Sequence, residues 1–273
     1  APVPVPVAAA PAPAVPAEAP APPAPAVEPM PSAAVAELPA RGGLDYARID
    51  FSRWTPFQRL ANALVTAAVR CVADVRVEGA ERVPASGPVL IAANHISMWD
   101  APVLLSTAGR RTVIFAAEEL RRFPWLHWTL HKIWDAIYLR RGEGDTEAVE
   151  NALGVLRAGG VLGLSPEGIR SPEGLRRGLT GVAHLAARSG APVLPVVLYG
   201  QEKIPARLRR LRRTQVTVRI GQPLRPPGRE ATAQALRAAT EEVMVELARL
   251  LPPEYRGVYA QAAAADADER ASA

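Results

Sequence analysis

His95 and Asp100 have the residue types and the spacing to move a proton. They lie in Asn94-His95-Ile96-Ser97-Met98-Trp99-Asp100, directly after the apolar run Val89–Ala93. Imidazole is the side chain poised near neutrality to accept a proton and return it. It acts as a base only when held in the tautomer with Nε2 free, and a carboxylate on Nδ1–H does this. If the chain turns after Ala93 and a helix starts near Trp99, a five-residue separation brings Asp100 back over His95. Asn94 and Ser97 would then satisfy backbone groups of the turn or cap the helix. The alternative is a strand-to-helix turn whose histidine is merely polar, since a His and an Asp at this separation often occur by chance.

Three further segments follow apolar runs. Ser165-Pro166-Glu167-Gly168-Ile169-Arg170-Ser171 comes after Val161–Leu164. Gly168 allows a close backbone approach, and Glu167 and Arg170 could grip hydroxyl and phosphate groups of one substrate, unless they are only a solvated pair on a tight turn. Tyr138-Leu139-Arg140-Arg141-Gly142 puts two arginines at a strand end, where adjacent side chains point opposite ways, so one can face a site. Pro195, inside the run Val193–Tyr199, demands a sheet edge or a bulge.

Other residues point less clearly to chemistry. His127 and His131 stand one helical turn apart, but no third metal ligand accompanies them, and Trp125, Leu126, Trp128 and Leu130 suggest a packed or membrane-facing surface. His184 reads as structural. Cys71 lies in an apolar run and reads as a small buried hydrophobe. Lys203, Arg207, Arg209, Arg210, Arg212 and Arg213 form a basic run, either a solvated face or an attraction to anionic lipid, coenzyme A phosphates or an acidic carrier protein. It has no interleaved aromatics, which disfavours nucleic acid.

These residues need elements to hold them. Residues 54–72 carry Trp54, Phe57, Leu60, Ala61, Leu64, Val65, Ala68 and Val69 at helical steps, a strip that could lie on a bilayer or pack on a core. Strands are expected at Val89–Ala93, Thr112–Ala117, 133–139, Val161–Leu164, Val193–Tyr199 and 215–220. Helices are expected at 147–157, closed by Gly159-Gly160, at 179–188, closed by Gly190, and at 231–250, closed by Pro252-Pro253. Strands separated by helices imply crossover connections, and so an α/β fold with a mixed, mostly parallel sheet flanked by helices.

Composition bounds the rest. Of 273 residues, 13 of the 28 Pro fall in 1–40, a segment with Glu18, Glu28 and Glu37 and no Lys or Arg. We read 1–40 as a disordered Pro/Ala-rich tail dispensable for catalysis, 41–260 as the working domain and 261–273 as a flexible C-terminal tail. The domain carries 31 basic and 21 acidic side chains, so the chain's net +5 hides a body that attracts anionic partners. A single Cys rules out an internal disulfide and a cysteine-based zinc site. The absence of an apolar stretch of about 18 residues, and of a basic segment ahead of an apolar N-terminal run, points to the cytosol without a simple transmembrane helix.

Taken in order, the segments NHISMWD, IYLRR, SPEGIRS and VLPVVLYG resemble the four blocks of the 1-acyl-sn-glycerol-3-phosphate acyltransferase (PlsC-like) family of glycerolipid acyltransferases, over residues 75–224. The resemblance implies that His95 and Asp100 are catalytic. It places Arg141 in the second block, Glu167, Gly168 and Arg170 in the third, and Pro195 in the fourth, with the second and third blocks serving the acyl acceptor and its glycerol phosphate. Asn94 and Ser97 are expected beside the substrate. The implied donor is acyl-CoA or acyl carrier protein, the acceptor a lysophospholipid, most naturally lysophosphatidic acid, and no metal or cofactor is implied. The implied location is the inner face of the cell membrane, bound peripherally to its anionic surface. A non-catalytic lipid-binding scaffold is the alternative. The chain departs from the family at Ser165 (usually aromatic), Ile169 (usually Thr), Ala117 (often Lys) and Arg140 (often Asp or small), which bears on the acceptor head group.

Overall fold

A computed structural model describes residues 44–140 and 144–264. The tail 1–40 and residues 265–273 lie outside the described residues, as does Arg141.

Seven strands form one sheet: β1 (Ala73–Glu78), β2 (Val89–Ala93), β3 (Thr112–Ala117), β4 (Ile137–Leu139), β5 (Val161–Leu164), β6 (Val193–Tyr199) and β7 (Thr214–Ile220), in the order β1-β7-β6-β2-β5-β3-β4. The run from β6 to β4 is parallel throughout; β7 pairs antiparallel to β6, and β1 runs parallel to β7. β2 is central and buried at all five positions, the continuous apolar run expected of a strand covered on both faces.

The period-2 alternation of β2 separates two cores. Leu90 and Ala92 face a cluster built with α4 (Thr146–Arg157), α5 (Gly181–Ser189) and α7 (Ala233–Leu250). Val89, Ile91 and Ala93 face α1 (Pro56–Val72) and α2 (Asp100–Thr107). A third cluster joins α1 and α2 to α3 (Pro124–Trp134) and the β3 and β4 strands. At the other edge a short α6 (Ile204–Leu208) follows β6.

Several expectations are corrected. The strand expected at 133–139 is split: Pro124 starts α3, which runs to Trp134, and Asp135 in the left-handed region (φ 50°) ends it, so only Ile137–Leu139 is strand. β1 had not been expected. Its sequence, ADVRVE, follows α1 with no Gly or Pro between them, and it is an edge strand with exposed charged positions. Cys71 is exposed, because the last turn of α1 buries Val69 and turns Cys71 away from the sheet. His184 lies on the exposed side of α5. Within the segment expected to be loose from Gln261, residues 260–264 form a helical turn and Ala263 is buried in the core. Pro195 sits at a bulge, since Val193 pairs with Leu224 and Val196 with Ile220, three steps on β6 opposing four on the other side.

Part of the strip foreseen for α1 packs on the core and part stays at the surface. A Thr55/Gln58 capping box starts it, and Ala61 and Val69 pack inward. Phe57, Leu60 and Leu64 remain exposed. No helix among the described residues is long and apolar enough to cross a membrane.

The end of the sheet away from His95 is held by a buried ion pair. Arg111, just before β3, donates from Nη2 to Asp135 Oδ2 at 2.5 Å and from Nη1 to the carbonyls of Asp50 and Arg53; Gln58 Nε2 donates to the same carboxylate. Removing one partner strands a buried charge. Arg111→Met should therefore cost about 3–5 kcal/mol of stability, and adding Asp135→Asn should restore much of it. Thermal melts of the single and double variants check this; equal losses in both would contradict it.

Candidate active site

β2 delivers its chain to the carboxyl edge of the parallel strands, where open α/β sheets place their ligand crevices. The next residue, Asn94, is buried, and its amide replaces a ladder: Nδ2 donates to the Leu198 carbonyl (2.9 Å) and Oδ1 accepts from the Leu198 N–H (2.8 Å). Both ends of Asn94 are thus committed to β6.

His95 then leaves the sheet, and the turn behind it closes on Asp100, the first residue of α2. Asp100 Oδ2 lies 2.6 Å from His95 Nδ1 and accepts from the backbone N–H groups of Ile96 (2.8 Å) and Ser97 (3.0 Å). Its other oxygen accepts from Gln201 Nε2 at 2.7 Å. An ionised carboxylate only accepts, so the shared proton sits on Nδ1 and Nε2 is left as a base. Asp100 is buried, while the His95 side chain is 32% exposed. Ser97 Oγ accepts from the Trp99 N–H, a use within the turn.

The Pro166-Glu167-Gly168 turn after β5 grips the other side of His95. Glu167 is buried; its Oε1 accepts from the His95 N–H and its Oε2 from the Arg176 N–H, both at 3.1 Å. The Ser171 N–H donates to the His95 carbonyl at 2.6 Å. The backbone of His95 is therefore clamped from both ends by one loop. Burial raises the Glu167 pKa above the usual carboxylate value, against the pull of these donors. Gly168 is required by its φ of +71°; a Cβ there would also push aside the exposed Leu179 side chain, 2.6 Å away.

A cleft of about 120 Å³ opens at His95, walled by Phe115, Ala117, Leu139, Leu164, Ser165 and Gly168 among others. It draws on the carboxyl ends of β2, β3, β4 and β5, and apolar groups dominate its wall. Two of the family departures, Ala117 and Ser165, line it, and Ile169 is exposed nearby in the chain. Arg170 is exposed and lines a second cleft on the other side of the turn. Pro195 is buried inside β6 opposite Ala92, away from either cleft. His127 and His131 stack on each other, and His127 Nδ1 is 2.7 Å from the Tyr138 hydroxyl.

Sequence reasoning named neither Gln201 nor Arg176. Gln201 follows Gly200 at the carboxyl end of β6, a position at the ligand edge of such a sheet, and that was the available signal. Glu167, expected to touch substrate, uses each of its oxygens to accept from a backbone N–H. Glu167→Gln keeps one acceptor but turns an amide donor toward a backbone N–H, so the His95 turn should shift. We expect kcat to fall by about 10²-fold with acceptor KM little changed. A rise in KM alone, at unchanged kcat, would instead make Glu167 a substrate ligand.

Comparison with known proteins agrees with this geometry. Residues 74–199 match the Acyltransferase family model. The chain is similar to the chloroplastic 1-acyl-sn-glycerol-3-phosphate acyltransferase of Brassica napus, 27% identical over 132 residues, which are 47% of this chain and 38% of that protein. The match thus spans well under half of the plant relative. The fold is similar to the crystal structure of the 1-acyl-sn-glycerophosphate acyltransferase PlsC from Thermotoga maritima, with a TM-score of 0.55 and 28% identity over 68% of this chain and 76% of that one. With its histidine and aspartate in contact at the ligand edge of this sheet, the chain is similar over residues 74–199 to acyltransferases and in fold to one of the 1-acyl-sn-glycerophosphate type.

Proposed function

We propose that the chain transfers a fatty acyl group from a thioester, acyl-CoA or acyl carrier protein, to the hydroxyl of a lysophospholipid, converting lysophosphatidic acid to phosphatidic acid. The observation that carries this reading is the 2.6 Å His95–Asp100 contact opening on an apolar cleft. His95 Nε2 takes the proton of the acceptor hydroxyl as its oxygen attacks the thioester carbonyl, and Asp100 stabilises the imidazolium that forms. Collapse of the tetrahedral intermediate breaks the C–S bond, and the imidazolium returns its proton to the departing sulfur. Apolar walls suit the acyl chain near the carbonyl.

A panel of acceptors with one acyl-CoA, followed by thiol release, tests the reading. Lysophosphatidic acid should be used best. Release that is the same with and without every lysophospholipid would reject it, as a scaffold or a simple thioesterase would behave.

The surface fits peripheral attachment to a membrane. Phe57, Leu60 and Leu64 of α1 and Trp125 and Trp128 of α3 are exposed, and the Phe57 and Trp128 rings meet edge-on at 5.8 Å. At the far edge, Arg207, Arg209, Arg210 and Arg212 surround Leu211, which is 93% exposed. Apolar insertion and attraction to anionic lipid then act together. Flotation with anionic vesicles should be strong at low salt and weaken as salt is added; equal binding to neutral vesicles at every ionic strength would remove the electrostatic part.

A further inference from the structure

The segment that follows α7 reaches back to both loops that hold His95 and Asp100. It forms two short helical turns, Pro253–Tyr255 and Gly257–Tyr259, outside the residues 74–199 of the family match. Its backbone pairs with Leu175, a buried residue of the loop after β5. The Leu175 N–H donates to the Tyr255 carbonyl (3.1 Å), and the Val258 N–H donates to the Leu175 carbonyl (3.0 Å). The Gly178 N–H donates to the hydroxyl of Tyr259, a buried residue, at 3.3 Å. At Gly257 (φ +51°) a Cβ would lie 2.1 Å from the Leu175 carbonyl oxygen, so this approach requires glycine.

These bonds end one residue away from the groups that support the pair. Leu175 precedes Arg176, whose N–H meets the Glu167 carboxylate that also accepts from the His95 N–H. On the other side, the Tyr255 hydroxyl donates to Glu202 Oε1 at 2.7 Å, and its ring centre lies 5.8 Å from that of Tyr199. Burial and the Glu202 carboxylate push the Tyr255 phenol up, so it stays a donor. Glu202 follows Gln201, which is fully buried and donates to Asp100 at 2.7 Å. The two loops leave different strands, β5 and β6, and residues 253–259 bond to both. A shift of about 1 Å in such a constellation can cost about 10²-fold in rate.

We infer that residues 253–259 are a strap that positions His95 against Asp100, with Tyr255 and Gly257 as positioning residues acting through Gln201 and Arg176. The inference rests on the acyltransferase reading for its effect on turnover, and not for its effect on the His95–Asp100 contact.

Tyr255→Phe is the deciding variant, because it removes the bond to Glu202 and keeps the ring. Tyr46→Phe is its control: it also removes one tyrosine bond, to the Ala136 carbonyl (3.3 Å), at the end of the sheet away from His95. Tyr255→Phe should lower kcat by about tenfold with the KM of both substrates within twofold, and Tyr46→Phe should leave all of them within twofold. Glu202→Gln keeps an acceptor for the phenol and should retain most of the turnover. Proton NMR reads the contact without turnover. The low-field resonance of the His95 Nδ1 proton, identified by its loss in His95→Ala, should shift or broaden in Tyr255→Phe and stay in place in Tyr46→Phe. Gly257→Ala should move it too, with a lower melting temperature; if that variant does not fold, Tyr255→Phe still decides. The inference is overturned if the resonance stays in place in Tyr255→Phe, or if it moves while kcat stays within twofold. A resonance that moves in a chain whose wild type turns over no thioester would uphold the strap and reject the acyltransferase reading.

Discussion

His95→Ala should lower kcat by about 10²–10⁴-fold or more while leaving the KM of donor and acceptor nearly unchanged. The reason is positional. The imidazole is partly exposed at a cleft mouth with Nδ1 occupied by Asp100, so Nε2 is the nitrogen offered to substrate. Its loss removes a proton acceptor needed only as the hydroxyl attacks. The fold should survive, because the structural bonds of residue 95 are made by its backbone to Glu167 and Ser171. Circular dichroism on the variant checks that, and near-wild-type turnover would end the assignment.

Asp100 should separate charge from shape. Asp100→Asn can keep its carbonyl toward the N–H groups of Ile96 and Ser97 and turn its amide toward Gln201. The Gln201 Oε1 atom has no partner and can accept after a flip of that amide. The turn then stands, but a neutral group no longer stabilises the imidazolium. Turnover should fall by about 10⁴-fold with a small loss of stability. Asp100→Ala strands buried donors instead, at about 1–3 kcal/mol each, and should lower the melting temperature sharply as well. Equal melting temperatures for the Asn and Ala variants would show that Asp100 does not hold the turn.

The pairing of His95 with Asp100 was legible because it is local: five residues, a turn and a helix start decide it. The four strands β2, β3, β5 and β6 were legible at their ends because each is an apolar run bounded by turn residues or charge. What bounded β4 was harder to read, since the apolar run 133–139 hides a helix end at Asp135, a residue with no proline or glycine beside it to mark the break. Gln201 meets Asp100 across a hundred residues, and no local pattern encodes such a contact. Glu167 was legible as important and not as to use. Its type suits a substrate hydroxyl equally well, and only the closeness of two loops in space directs its oxygens to the N–H groups of His95 and Arg176. The same closeness brought Arg176 into view.

The central claim is direct transfer to an acceptor activated by His95, and rapid-mixing measurement of thiol release from acyl-CoA tests it most directly. Release should require lysophosphatidic acid from the first turnover and should be lost in His95→Ala. A burst of thiol stoichiometric with enzyme in the absence of acceptor would contradict the account. It would mean that the acyl group passes first to the protein, with Ser165, the hydroxyl in the His95 cleft and without a hydrogen-bond partner, as the group to examine.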